Sequence, residues 1–161
     1  MKLIIKQTGI MISILLGLTI IHTAHAAAEF QNLAMPTFCM TTPPKEGAII
    51  TLQPCQSGSL KQQWLVSNNG IQPAMAPSHC LDVHKSTVQP NVPTVTWRCH
   101  GGMSQKWHLN PISGGAQLVN NTVPGMCVGS HFIAGSGWQV AVKECNPSDT
   151  SQLWVLWGFV H

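Results

Sequence analysis

Apolar residues in this chain fall into one long run and many short ones. The long run comes first: residues 9–21 are apolar or small, broken only by Ser13 and Thr19. Beyond it, no extended apolar stripe recurs at the 3.6-residue spacing of an amphipathic helix. Short patches take its place, among them residues 48–52, 93–97 and 139–142, where strand-forming side chains cluster. Turn-forming residues separate such patches at 67–70, 111–115 and 135–137, and eleven prolines and fourteen glycines are spread along the chain. Short strands with regular turn signals predict an all-β domain, either a sandwich or a barrel. The final apolar run, residues 154–160, reads as a strand that closes the barrel. A protein-binding patch at the chain end is its alternative reading.

The long N-terminal run changes the boundaries of the problem. Lys2 and Lys6 precede it, and Ala24-His25-Ala26 follows with small residues at the cleavage positions. That is the form of a secretory signal peptide spanning residues 1–26. Thirteen residues fall short of the roughly 20 that span a bilayer. No cysteine lies near the cleavage point, so neither an integral membrane anchor nor a lipid anchor is expected after processing. Residues 27–161 then form one domain in a secreted, periplasmic or extracellular protein.

Charge narrows the partners. Without Lys2 and Lys6, six basic residues stand against five acidic ones, and charged residues are only 8% of the chain. Nucleic acid demands clustered Lys and Arg, so it is excluded as a partner.

A repeat emerges from three triplets of the form Gln-x-Trp. They are Gln62-Gln63-Trp64, Gln105-Lys106-Trp107 and Gln152-Leu153-Trp154, whose tryptophans are 43 and 47 residues apart. A signature at a period of about 20–50 residues marks an internally repeated fold. The cysteines keep the same beat. Cys39, Cys80 and Cys127 open the units, and Cys55, Cys99 and Cys145 follow at separations of 16, 19 and 18. Six cysteines alone allow 15 pairings. The threefold repeat selects Cys39–Cys55, Cys80–Cys99 and Cys127–Cys145. Three tandem metal sites are the alternative, but no unit has the close Cys-x-x-Cys or His pair that zinc uses. A threefold repeat also favours a closed, pseudo-symmetric barrel, which leaves no sheet edge exposed.

The middle unit is the most specific. Cys80-Leu81-Asp82-Val83, then Trp97-Arg98-Cys99-His100-Gly101, then Gln105-Lys106-Trp107 resembles one repeat of the ricin B-type lectin family. The other units carry the same Cys…Cys…Gln-x-Trp frame, so the resemblance spans residues 38–157. It implies a disulfide-stapled β-trefoil with repeats at about 36–75, 76–122 and 123–161. It also implies that Trp64, Trp107 and Trp154 pack in the core, while Gln62, Gln105 and Gln152 hydrogen-bond nearby backbone. Carbohydrate binding in up to three shallow pockets is the implied function. No cofactor, no metal and no enzymatic activity are expected.

By that resemblance, a working unit has an Asp two residues after its first Cys and an aromatic two residues before its second. Asn often precedes the Gln of the triplet. The middle unit supplies Asp82, Trp97 and Gln105, with His100 as a further polar candidate and Ser104 in place of Asn. The first unit has Thr41, Gln53 and Lys61 at the same places, and the third has Gly129, Lys143 and Ser151. Neither offers a carboxylate or a stacking ring, so one sugar site is expected, in the middle repeat. A turn carboxylate is the plain alternative for Asp82, and a core position for Trp97.

The remaining signals are weaker. Six histidines lie in the mature chain without metal-ligand spacing, and its five carboxylates suggest no acid–base pair. Asn120-Asn121-Thr122 matches a glycosylation sequon. Trp138 lies off the family's aromatic position. Two silent units of three also suit a second reading, a cell-binding or protein-interaction subunit of a multi-component secreted toxin, partnered by a toxin or enzyme subunit.

Overall fold

The computed structural model describes residues 27–67 and 70–158. The expected signal peptide at 1–26, the middle of the turn at 67–70 and the end of the C-terminal run lie outside them. Among the described residues twelve strands follow in three sets of four. The first set is β1 (Ala27–Asn32), β2 (Met35–Thr41), β3 (Thr51–Pro54) and β4 (Gln63–Ser67). The second is β5 (Gly70–Pro73), β6 (His79–Val83), β7 (Thr94–Arg98) and β8 (Trp107–Ile112). The third is β9 (Gly115–Asn120), β10 (Met126–Ile133), β11 (Gly137–Glu144) and β12 (Leu153–Trp157). The architecture is the all-β trefoil that the family resemblance implied.

Alternation decides which face each strand buries. In β1, Ala28, Phe30 and Asn32 are buried while Ala27, Glu29 and Gln31 are partly exposed. That period of two is the pleat of a half-buried strand. β12 pairs antiparallel with both β1 and β9, so the C-terminal run, over residues 153–157, joins the first and third units in the barrel. β1 also pairs with β4, β4 with β5 and β8 with β9. The three remaining hairpins, β2–β3, β6–β7 and β10–β11, form the cap.

Two predicted elements shift slightly. The patch at 48–52 joins a ladder only from Thr51, although Ile49 makes an isolated bridge to Val95. Its residues serve the cap instead. Ile50 N–H donates to Thr94 O (2.9 Å), Thr94 Oγ1 to Val140 O (2.8 Å) and Val140 N–H to Ile50 O (2.9 Å). This ring ties one position of each unit around the pseudo-threefold axis. The turn at 111–115 contracts to Ser113-Gly114, because β8 continues through Pro111 and Ile112 against β9.

The core is built from the repeated positions. Trp64, Trp107 and Trp154 are buried at 0%, 4% and 0% exposure, among Met40, Leu81, Val128, Phe30 and Leu118. Each indole N–H donates to the carbonyl one residue past its unit's first Cys: Met40 at 3.0 Å, Leu81 at 3.2 Å and Val128 at 2.9 Å. A buried indole without such a partner would lose a hydrogen bond to water without replacement. The three bridges form as the repeat selected: Cys39–Cys55, Cys80–Cys99 and Cys127–Cys145.

Candidate functional site

β6 and β7 pair with Cys80 opposite Trp97 and Asp82 opposite Val95. That register sets Asp82 and Trp97 around one cleft of about 420 Å³, lined also by Gly47, Val83, His84, Lys85, Ser86, Val95 and His100. Trp97 is the outlier among the Gln-x-Trp and cleft tryptophans: 47% of it is exposed. Its ring edge rests on Gly47, where an added Cβ would stand 2.8 Å from Trp97 Cζ3. Gly47 is delivered by the β2–β3 loop of the first unit, pinned by its N–H to Thr96 O at 2.9 Å.

Asp82 forms the cleft floor and is only 2% exposed. Its Oδ1 accepts the Val83 N–H at 2.7 Å. Its Oδ2 accepts from Gln105 Nε2 at 2.8 Å and lies 3.2 Å from His100 Nε2. His100 Nδ1 in turn accepts the Gly102 N–H at 3.1 Å, which leaves Nε2 as the donor to Asp82. The carboxylate is thus oriented from three sides, and Oδ1 keeps acceptor capacity.

Gln105 and Ser104 do not line the cleft. Gln105 is 1% exposed, and its amide is fully used. Oε1 accepts from His100 N–H (2.8 Å) and Gly101 N–H (3.2 Å), while Nε2 donates to Asp82 and to Arg98 O (3.0 Å). Gln105 therefore sets Asp82 and the backbone after Cys99 in position. Ser104 is buried, with its hydroxyl unpartnered and its carbonyl accepting from Trp107 Nε1. Of the residues expected at the site, Asp82, Trp97 and His100 line the cleft, and its opposite wall was not among those expected. Lys85 and Ser86 could have been found as the residues directly after the Cys-x-Asp-Val strand. Gly47 carried no such signal.

The equivalent places differ in chemistry. In the first unit, Gln62 Nε2 donates to Thr41 Oγ1 (3.0 Å) and Pro54 O (3.0 Å), while Gln53 and Lys61 are exposed. In the third, Lys143 fills the space. Its Nζ donates to Ser151 Oγ at 2.6 Å and lies 3.5 Å from Asp149 Oδ2. A Cβ on Gly129 would meet Lys143 Cδ, Gln152 Cγ and Ser151 O, each at 3.0 Å. Burial pushes the Asp149 carboxyl up, but hydrogen bonds from Ser151 and Gln152 and the Lys143 charge outweigh it and hold it below the ordinary range.

Other sequence signals resolve into structure. Asn120, first residue of the sequon, is 2% exposed. Its Nδ2 donates to Met103 O, and its Oδ1 accepts from Thr122 and Val123, so the side chain is a turn brace. Trp138 packs on Phe132 across β10–β11 at a ring separation of 5.1 Å. Among the described residues no group of three His, Cys, Asp or Glu could hold a metal ion.

The ricin-type beta-trefoil lectin domain model matches residues 23–107 and again 71–158, and the chain belongs to that family of carbohydrate-binding domains. A search of curated protein sequences finds no match. Among solved structures, the designed threefold-symmetric protein ThreeFoil is 18% identical with a TM-score of 0.70, over 81% of this chain and 96% of its own. The Vibrio vulnificus hemolysin/cytolysin β-trefoil lectin, solved with N-acetyl-D-lactosamine bound, is 20% identical with a TM-score of 0.63, over 83% and 95%. A mosquitocidal holotoxin is 16% identical with a TM-score of 0.68, over 85% of this chain and 17% of its own. These three likenesses concern the fold.

Proposed function

We propose that this protein is a secreted lectin with one sugar site, the cleft of the middle unit. Asp82 accepts from sugar hydroxyls at its floor, Trp97 stacks on the C–H face of the ring, and His100 and Gln105 hold Asp82 in place. The observation that carries the reading is an exposed indole beside an oriented carboxylate, a pair absent at the equivalent places of the other units. Charge-assisted hydrogen bonds to a fixed carboxylate are stronger than neutral ones. The sugar bound by the Vibrio vulnificus lectin domain makes a galactose-terminated glycan the first ligand to try. Secretion is supported by the N-terminal run and by three disulfides, which persist in oxidising compartments. A single shallow site holds a sugar at roughly millimolar affinity, about −4 kcal/mol. Useful avidity then needs clustered ligands.

The test is a glycan array read with wild type, Asp82→Asn and Trp97→Ala. Both variants should lose all signal while still folding, as checked by circular dichroism and cooperative thermal unfolding. Binding that survives Asp82→Asn would sink the assignment.

A second reading has its own observation. Phe132, Ile133 and Trp138 are exposed together at the tip of the long β10–β11 hairpin. Such a patch suits a protein partner, and the holotoxin likeness suits a toxin subunit. A blank glycan array, with a partner recovered from culture supernatant by wild type but not by Trp138→Ser, would favour it.

A further inference from the structure

The cleft has a wall that Asp82 and Trp97 leave unused. After β6 the chain turns through His84, Lys85 and Ser86, all three of which line the cleft. Lys85 and Ser86 hold φ values of 56° and 55°. Two successive non-glycine residues in the left-handed region are strained, and strain of that kind clusters at ligand clamps.

The charged groups of the cleft differ in how they are held. Its lining holds one carboxylate, Asp82, and one ammonium, Lys85, beside the imidazoles of His84 and His100. Asp82 is engaged by Val83, Gln105 and His100, and His100 by Asp82 and Gly102. Lys85 is different. The ion pairs among the described residues are His79–Glu46, His100–Asp82 and Lys143–Asp149, and Lys85 enters none of them. The contrast with the third unit is direct, because Lys143 there pairs with Asp149 and donates to Ser151. Lys85 instead stands at the lip of an open cleft, exposed and without an anion.

We propose that the sugar held in this cleft carries an acidic group, a carboxylate or a sulfate, and that Lys85 selects it. The inference rests on the reading of the cleft as the sugar site. Asp82 and Trp97 fix the ring, and the acidic substituent projects along the 84–86 loop to the ammonium. An acidic group placed toward the floor would instead meet the Asp82 carboxylate, so the arrangement also discriminates by position.

The test uses N-acetyllactosamine clustered on a polymer, its 3′-sulfated form and its sialylated form, on an array that also carries other neutral glycans with acidic counterparts. Wild type should prefer an acidic probe about tenfold over its neutral parent. Lys85→Asn removes the charge, and Asn tolerates positive φ, so the loop should still fold. That variant should bind neutral and acidic probes alike, and Lys85→Arg should restore the preference. Raising the salt from about 0.1 M to 1 M, which shortens the screening length from about 10 Å to about 3 Å, should erase it. The sulfated and sialylated arms separate the two sources of acid. Equal binding of neutral and acidic probes by wild type, with Asp82→Asn still inactive, overturns the role of Lys85 and leaves the sugar site standing. Binding untouched by Asp82→Asn and by Lys85→Asn overturns both, as does an array with no signal.

Discussion

Gln62, Gln105 and Gln152 hold one place in three units and make nearly the same bonds. Each Nε2 donates to the carbonyl before the second Cys: Pro54, Arg98 or Glu144. Each Oε1 accepts the N–H just after it: Gln56, His100 or Asn146. The last amide proton is the variable one. It goes to Thr41 in the first unit, to Asp82 in the second, and to Asp149 in the third, where Gly129 has no side chain to offer. A structural residue in two units is thus also a positioning residue in the middle one. Gln62→Ala and Gln105→Ala should each cost roughly 2–4 kcal/mol in chemical denaturation, because each orphans buried backbone groups. Only Gln105→Ala should also lose glycan binding. The backbone bonds were legible because a repeated residue type in a repeated frame fixes its environment, whereas Gln105 was expected to touch the sugar and instead spends its whole amide on Asp82 and backbone. Ser104 was not legible as buried, nor Asn120 as a brace, because both depend on which way a short turn faces.

At the level of elements, the β2–β3 loop of the first unit builds part of the middle unit's cleft. Reading each repeat by its own spacing reaches the contacts made within a repeat, such as Asp82 with Gln105 and His100. Gly47 lay beyond that reach, because nothing in its own unit marks it as a neighbour of Trp97. Its φ of +77° and the 2.8 Å approach to the indole leave no room for a side chain. Gly47→Ala should therefore push the Trp97 ring out of position. The expected result is a loss of sugar affinity of about tenfold or more, with Trp97 fluorescence altered and a stability cost of about 1 kcal/mol from the positive φ. Wild-type affinity in Gly47→Ala, measured by titration with a clustered glycan, would mean that the ring has freedom to move aside without losing the ligand.

For the whole molecule, the threefold plan is followed closely at the cap and broken once in the barrel. Ile50, Thr94 and Val140 stand equivalent in their units and close one hydrogen-bonded ring. Around the barrel, ladders join β12 to β1, β1 to β4, β4 to β5, β8 to β9 and β9 to β12. Among the described residues no ladder joins β5 to β8. A cleft of about 390 Å³ lies there instead, lined by Gly70, Gln72, Cys99, Gly101, Lys106, Trp107 and Asn121. β5 is four residues long and ends in Pro73, which has no N–H to give a neighbour. The triplets and cysteines announced the symmetry, since they sit at core positions that every unit must fill. They were silent on the seam, which depends on backbone pairing rather than on side chains. Local opening draws on regions with few paired backbone groups. Amide hydrogen exchange should therefore be faster along β8 than along its counterparts β4 and β12, each of which is paired on both sides. Equal protection of the three strands would show that β5 and β8 are sealed in solution. Faster exchange confined to β8 would locate the first opening of the barrel directly behind the middle unit, whose Trp107 borders the seam while its Gln105 holds Asp82 at the cleft floor.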